Sequence, residues 1–250
     1  LDFEGATFVA KTTTLNPRLG NMPLDGLQPR DLFLDCIKVY PWKGMALNAV
    51  GLSGHGAEAL LQKGIWHKQE RPFFLSFMSV AATPTERLSE LRAFVRLLKK
   101  HLPFQAPVGL QLNFSCPNVG LNPQKLVDEM KEGLDIANAL SIPLVPKINA
   151  AFPCQVMWDL EDDDAPWDAV CVSNTIPWGQ LPSQIPWKKL FGSDVSPLAK
   201  YGGGGLSGKP LLPIVAAWIR MARGGGLRRP IIGCGGILSM KDADEVIEAG

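Results

Sequence analysis

The sequence has almost no charge imbalance: 25 Lys and Arg stand against 24 Asp and Glu, a formal net charge of +1. No basic block interrupts that balance, so the electrostatic footprint of a nucleic-acid-binding chain is missing. Long apolar runs are missing too. The longest, such as Leu211 to Ile219, stop well short of the ~20 residues a membrane-spanning helix needs. Cysteine is sparse and scattered: Cys36, Cys116, Cys154, Cys171 and Cys234 are odd in number and include no C-x-x-C pair. That argues against a disulfide framework or a zinc knuckle and for a reducing, cytoplasmic setting. Three histidines (His55, His67, His101) show no metal-ligand spacing, and no targeting pattern is visible. What remains is an ordinary globular composition, 46% hydrophobic and 20% charged, long enough at 250 residues for one large domain.

Strand-like and helix-like segments alternate along the chain. Strands are expected at Ala6–Thr12, Phe73–Val80, Val108–Phe114, Leu144–Asn149, Ala169–Ser173 and Ile231–Gly235, most of them short and apolar on both faces. Helices have readable starts. Thr83-Pro84-Thr85-Glu86 is a capping box, followed by Leu88, Leu91, Phe94, Val95 and Leu98 at helical spacing. Asn122-Pro123 opens a second helix with Leu126, Val127, Met130 and Leu134 on one face, and Pro210 to Arg223 forms a third, closed by Gly224. Ser239 caps a fourth, whose buried face takes in Ala243, Val246 and Ile247.

Repeated strand-then-helix order implies a parallel sheet, either a (β/α)8 barrel or an open doubly wound sheet. Polar residues gather after strand upon strand: Lys11-Thr12, Asn113 to Asn118, Lys147 to Asn149, Ser173 to Thr175 and Gly235-Gly236. A barrel collects all its carboxyl ends at one mouth, whereas an open sheet concentrates contacts at one crevice. The expected fold is therefore an α/β class (β/α)8 TIM barrel, residues 1–250 forming a single domain. Only six strands are visible, and the chain starts at Leu1 and stops at "EAG" inside a βα unit. It reads as truncated at both ends, short of its first and last strands.

Four stretches carry candidate chemistry. "LNFSCPN" (112–118) ends a strand in amides and a thiol; plain turn chemistry would explain Pro117-Asn118, but amides beside a tunable thiol also suit a polar heterocycle and proton transfer. Lys11 and Lys147 end apolar strands, where a lysine either snorkels or meets an anionic ligand. "YGGGGLSGKP" (201–210) and "IIGCGG" (231–236) give backbone amides the freedom to approach a phosphate. "NAVGLSG" (48–54) reads as a loop.

"AKTTTLNPRLGN" (10–21), "NAVGL" (48–52), "LNFSCPN" (112–118), "PLVPKI" (143–148), "SNT" (173–175), "GGLSGKP" (204–210) and "IIGCGGI" (231–237) occur in the order seen in dihydroorotate dehydrogenases, which the whole chain resembles. The resemblance implies an FMN-containing barrel that oxidises dihydroorotate to orotate in pyrimidine biosynthesis, hydride passing to flavin N5. It implies Cys116 as catalytic base, and Lys11, Asn48, Val50, Gly51, Leu52, Asn113, Asn118, Asn174 and Thr175 as orotate contacts. It also implies Lys11, Thr12, Asn113, Lys147, Ser173, Gly208, Gly235 and Gly236 as the FMN contacts. Cysteine at position 116 resembles the soluble class, since the membrane-associated quinone-reducing class carries serine there. "NAVGL" resembles the NAD-linked branch, which implies a homodimer working with an iron–sulfur flavoprotein subunit. Met78 stands where relatives often place a flavin-contacting asparagine, so a related flavin barrel acting on another dihydropyrimidine is the alternative, with a non-catalytic fragment as a third reading. "WDLEDDDAPW" (158–167) has no assignment from sequence.

Overall fold

Six strands lie side by side, all parallel: Phe8–Val9, Phe73–Phe77, Val108–Asn113, Leu144–Ile148, Val170–Val172 and Ile231–Gly233. They fall within the six segments expected from sequence, each ending one to three residues earlier. Their spatial order equals their chain order. An open doubly wound sheet reverses order at a switch point, and this sheet does not; it is the wall of a (β/α)8 barrel. The computed structural model describes residues 7–114, 123–162 and 164–250.

The helix Pro84–Lys99 carries the capping box, with the Thr83 hydroxyl accepting from Glu86 N–H and the Glu86 carboxylate accepting from Thr83 N–H. Its Leu88, Leu91, Phe94, Val95 and Leu98 are all buried, as the spacing predicts. Phe94 stacks on Phe77 with ring centroids 3.9 Å apart, so Phe77 and its in-register partner Leu112 face outward onto the helices. Leu126, Val127, Met130 and Leu134 of the helix Pro123–Asn138 are buried likewise. Between these two helices, Arg87 grips Glu129 with two bonds of 2.6 Å, both side chains almost fully buried. Arg87 also donates to the carbonyls of Ala81 and Ala82, while Glu90 accepts from Val80 and Ala81 N–H. The segment leaving the Phe73–Phe77 strand is thereby held at both ends.

Some expectations need correcting. The third expected helix is Leu212–Gly224, entered through a single 3-10 turn at Lys209–Leu211 because proline suits the first turns. Ser239 does cap the helix Met240–Glu248, but Ile247 is 73% exposed and Ala243 and Val246 only half-buried. Beside the Ile231–Gly233 strand no further strand packs among the described residues, so that face stays partly open. Short helices at Ala57–Gln62, Gln155–Asp162 and Trp187–Phe191 were not anticipated. No helix among the described residues is long and apolar enough to cross a membrane.

A second sheet is antiparallel, ordered Ile176–Pro177, Gly205–Gly208, Met45–Asn48, Ile37–Tyr40. Its strands belong to two excursions that leave the carboxyl ends of the first and fifth parallel strands. Tyr40, Trp178, Trp187 and Phe191 pack ring against ring and tie the excursions together. The unassigned stretch 158–167 is structural. Trp158 Nε1 donates to Ala222 O, Glu161 accepts the Arg228 and Arg229 amides, and the Arg229 guanidinium lies 4.5 Å from the Trp167 ring centroid.

Candidate active site

Partners in register across a parallel sheet share a face, and alternate residues along a strand return to it. Ser76 is level with Gln111, Asn113 with Lys147, and Lys147 with Cys171. Gln111 and Asn113 are two apart, so all five side chains line the face opposite the helices, the inside of the barrel. Ser76 and Gln111 are buried polar residues within strands that read as apolar on both faces. Thr12 Oγ1 lies 2.8 Å from Ser76 Oγ, which donates to Gln111 Oε1 at 3.4 Å. The interior wall is thus polar at its upper level, a costly arrangement for a core and a suitable one for a polar ligand.

Lys11 and Thr12 are placed by an irregularity. Val9 pairs with Phe74 and Thr13 with Phe77, so four steps on one strand face three on its neighbour. The extra residue is a bulge, which re-aims side chains beside a site. Thr12 turns to Ser76, while Lys11 turns to the carbonyl of Ser53 and bonds it through its ammonium. Lys11 stays exposed along its length, and partial dehydration of its ammonium lowers its pKa from the ordinary lysine value.

Asn113 Oδ1 accepts from Asn174 Nδ2 at 3.1 Å, joining the ends of the third and fifth strands. Asn174 Oδ1 in turn accepts from Thr175 N–H at 2.9 Å. Ser173 is buried and its hydroxyl accepts from Ala150 N–H at 2.9 Å. Asn149, not anticipated as a site residue, is buried and bonds Thr175 O at 2.6 Å and Ala151 N–H at 2.8 Å, fixing the segment that presents Asn174 and Thr175.

Asn48 is not in a loop: it ends the strand Met45–Asn48, level with Gly205, whose carbonyl it reaches at 3.4 Å. A side chain on Gly205 would collide with Thr175 Oγ1, so Asn48 and Thr175 approach the same point from two excursions. Past Asn48 the chain turns through Gly51 (φ 72°) and Leu52 (φ 58°), a left-handed pair that only glycine adopts without strain. Asn21 holds this turn by donating to Ala49 O and Val50 O, and Ser53 Oγ donates to Val50 O while accepting from Met22 N–H.

The two glycine-rich stretches meet in the fold. A Cβ on Gly236 would sit 2.8 Å from Gly208 O, and one on Gly208 would sit 2.2 Å from Gly44 O, so these backbones touch only because both residues are glycine. Lys209 reinforces the junction through an ion pair with Asp242, which also accepts from Leu238 N–H at 3.0 Å. Those bonds, the lysine's above all, hold the Asp242 carboxyl down to about 2. Gly235 lies beside Leu211 and Val215 in the same corner.

Cys116 and Asn118 lie outside the described residues. Of the site residues that sequence reasoning missed, Ser76 and Gln111 are single polar positions inside otherwise apolar strands, and Asn149 directly follows the strand Leu144–Ile148. Together the amides, the Lys147 ammonium and the bare glycine corner fit a ligand with a polar heterocyclic edge and an anionic tail.

A family model described as dihydroorotate dehydrogenase matches residues 2–250. The catalytic subunit of dihydroorotate dehydrogenase B (NAD(+)) from Thermoanaerobacter pseudethanolicus is 31% identical over 250 residues, covering 97% of this chain and 71% of that one. Its counterpart from Thermodesulfovibrio yellowstonii is 31% identical over 255 residues, with the same two shares, 97% and 71%. Dihydroorotate dehydrogenase A (fumarate) from Lacticaseibacillus paracasei is 28% identical over 252 residues, covering 100% of this chain and 77% of that protein.

Proposed function

Because the chain belongs to the dihydroorotate dehydrogenase family, we propose that it oxidises dihydroorotate to orotate in pyrimidine biosynthesis, using FMN held against the inner barrel wall. It is an oxidoreductase acting on a CH–CH bond, in a family whose chemistry is that of flavin. The observation that carries the reading is continuity. The inner face from Thr12 through Ser76, Gln111 and Asn113 to Lys147 runs directly into Asn174, Thr175 and Asn48 at the mouth.

When bound, the flavin supplies the hydride acceptor. Cys116, by its place in "NFSCPN", takes the proton from C5 of dihydroorotate, as a thiol tuned toward neutrality can. Lys11, Asn48, Asn113, Asn118, Asn174 and Thr175 orient the substrate, with Val50, Gly51 and Leu52 forming the turn beside it. Thr12, Ser173, Gly208, Gly235 and Gly236 hold the cofactor together with Lys11 and Asn113. Lys147 stabilises the negative charge that develops there on reduction. The relatives named as catalytic subunits support a partner, which we infer to be an iron–sulfur flavoprotein, bound to a cytoplasmic homodimer.

A second reading, another dihydropyrimidine as substrate, is favoured by Met78, which is 8% exposed and returns to the inner face two residues after Ser76. One pair of measurements tests both. The purified protein should be yellow with flavin and should turn over dihydroorotate at least ~100-fold faster than dihydrouracil, the discrimination expected when buried amides meet a missing carboxylate. Faster turnover of dihydrouracil would transfer the assignment to the second reading, and colourless protein would sink both.

A further inference from the structure

The end of the barrel opposite the mouth carries a feature that the flavin chemistry leaves unused. The loops that lead into the strands at Val108 and Leu144 border a groove of about 690 Å³. Its floor is apolar, made by Leu102, Pro103, Pro107, Leu140, Ile142 and Pro143, and Lys99 lines it as well. A third loop, leading into Phe73, is fastened beside it. The His67 ring centroid lies 5.5 Å from that of His101 and 4.8 Å from that of Phe104, and Phe73 N–H donates to Pro107 O at 3.1 Å.

The surroundings of this groove carry charge of one sign. Arg96, Lys99 and Lys100 fall in or just after the last turn of the helix Pro84–Lys99, and Lys68 and Arg71 belong to the fastened loop. All five are exposed and none has an ion pair among the described residues, whereas Arg92, one turn before Arg96, is bound to Glu132. Glu70 is the one carboxylate in residues 66–73, 96–108 and 139–143, in a chain that balances 25 cations with 24 anions overall. A helix end favours cations by itself, which accounts for Arg96, Lys99 and Lys100. Lys68 and Arg71 come from a loop and have no such cause. Cations beside an apolar floor suit a ligand that is both acidic and apolar. Single-stranded nucleic acid needs open aromatic faces for its bases, and Phe104 is buried at 8% exposure. A membrane surface takes apolar side chains that protrude, and these line a concave surface. We propose that the groove docks an acidic segment of a partner protein, its apolar side chains on the floor and its carboxylates on Lys68, Arg71, Arg96, Lys99 and Lys100.

This site does not depend on the flavin reading, and its test reads binding rather than turnover. The protein as purified is titrated into the fluorescein-labelled peptide Glu-Glu-Leu-Phe-Glu-Glu, and fluorescence anisotropy is followed. A Kd on the order of 10 µM is expected at low salt. It should weaken at least ~10-fold between about 0.05 and 0.5 M NaCl, as the charges are screened. The double variant Lys68→Glu/Lys99→Glu should also bind at least ~10-fold more weakly. Lys188→Glu/Lys200→Glu, which reverses two exposed lysines of the excursion between Ile176–Pro177 and Gly205–Gly208, should bind like wild type. Absence of binding, undiminished binding by the first double variant, or equal binding of Glu-Glu-Gly-Gly-Glu-Glu would overturn the proposal. So would tighter binding of oligouridylate or of phosphatidylserine vesicles that the same variant abolishes.

Discussion

The barrel wall and the antiparallel sheet at its mouth both bring site residues together, but by different means. In the wall, Ser76 and Gln111 are 35 residues apart and pair through one strand–helix–strand step. At the mouth, Asn48 meets Gly205 across 157 residues. Closing the longer loop costs about 1.3 kcal/mol more in chain entropy, by the logarithmic dependence on length. The wall repeats one local rule and is buried on its outer side by helices. The mouth is held by an aromatic cluster, a strained turn at Gly51-Leu52 and a few carbonyl contacts. One region is a frame; the other is a fitting attached to it. Stability should therefore respond to changes in the frame, and substrate affinity to changes in the fitting.

Breaking the frame gives the largest expected effect. Arg87→Met strands the buried Glu129 carboxylate and frees the Ala81 and Ala82 carbonyls, and should cost about 3–5 kcal/mol in chemical denaturation. A loss below about 1 kcal/mol would mean that the wall is not anchored there. Next comes the thiol of "NFSCPN": Cys116→Ala should keep its flavin yet lose roughly 100-fold or more in turnover. Unchanged turnover would reduce Cys116 to a packing residue.

Lys147→Ala and Asn48→Ala then set wall against mouth directly. Removing the ammonium should slow flavin bleaching in stopped flow about tenfold, the equivalent of ~1.4 kcal/mol of charge stabilisation, with little change in substrate affinity. Asn48→Ala should do the reverse, raising KM about fivefold for the loss of one hydrogen bond while kcat holds. If both variants lose affinity alone, the division between the regions fails.

The smallest effect is a pH dependence. Asp242 has its folded pKa held to about 2, below its ordinary 3.8, so its contribution is present above 3.8 and lost as pH falls through about 2. Asp242→Asn should lower the melting temperature at pH 7, and the gap to wild type should close toward pH 2. A constant gap across that range would show that shape, not charge, matters at Asp242.

The same contrast governs what could be read from the sequence. All six wall strands were legible because Val, Ile and Leu runs bounded by capped helices report a local rule. So were Lys147, Asn113 and the glycine corner, which sit at strand ends. The mouth strands Ile37–Tyr40, Met45–Asn48 and Gly205–Gly208 were not. Their pairing is set by distant partners, and "NAVGL" carries the turn signal of its second half over the strand of its first. Ser76 and Gln111 were hidden by apolar neighbours, and the bulge at Lys11-Thr12 shows only in the register. The acidic stretch 158–167 gave no sign that its Glu161 and Trp167 would clasp an arginine more than sixty residues on.

The pairing of residues 45–48 with 205–208 also has a consequence in time. At ~5–20 residues per second, a ribosome takes roughly 10–30 s to travel from Asn48 to Gly205. Throughout that interval the nascent chain can assemble wall strands one after another, but the strand bearing Asn48 has no inner neighbour and its free edge is open to other chains. The pocket is therefore completed only after residues 205–208 have emerged. A growing chain can begin to shape its cofactor wall well before it can hold a substrate.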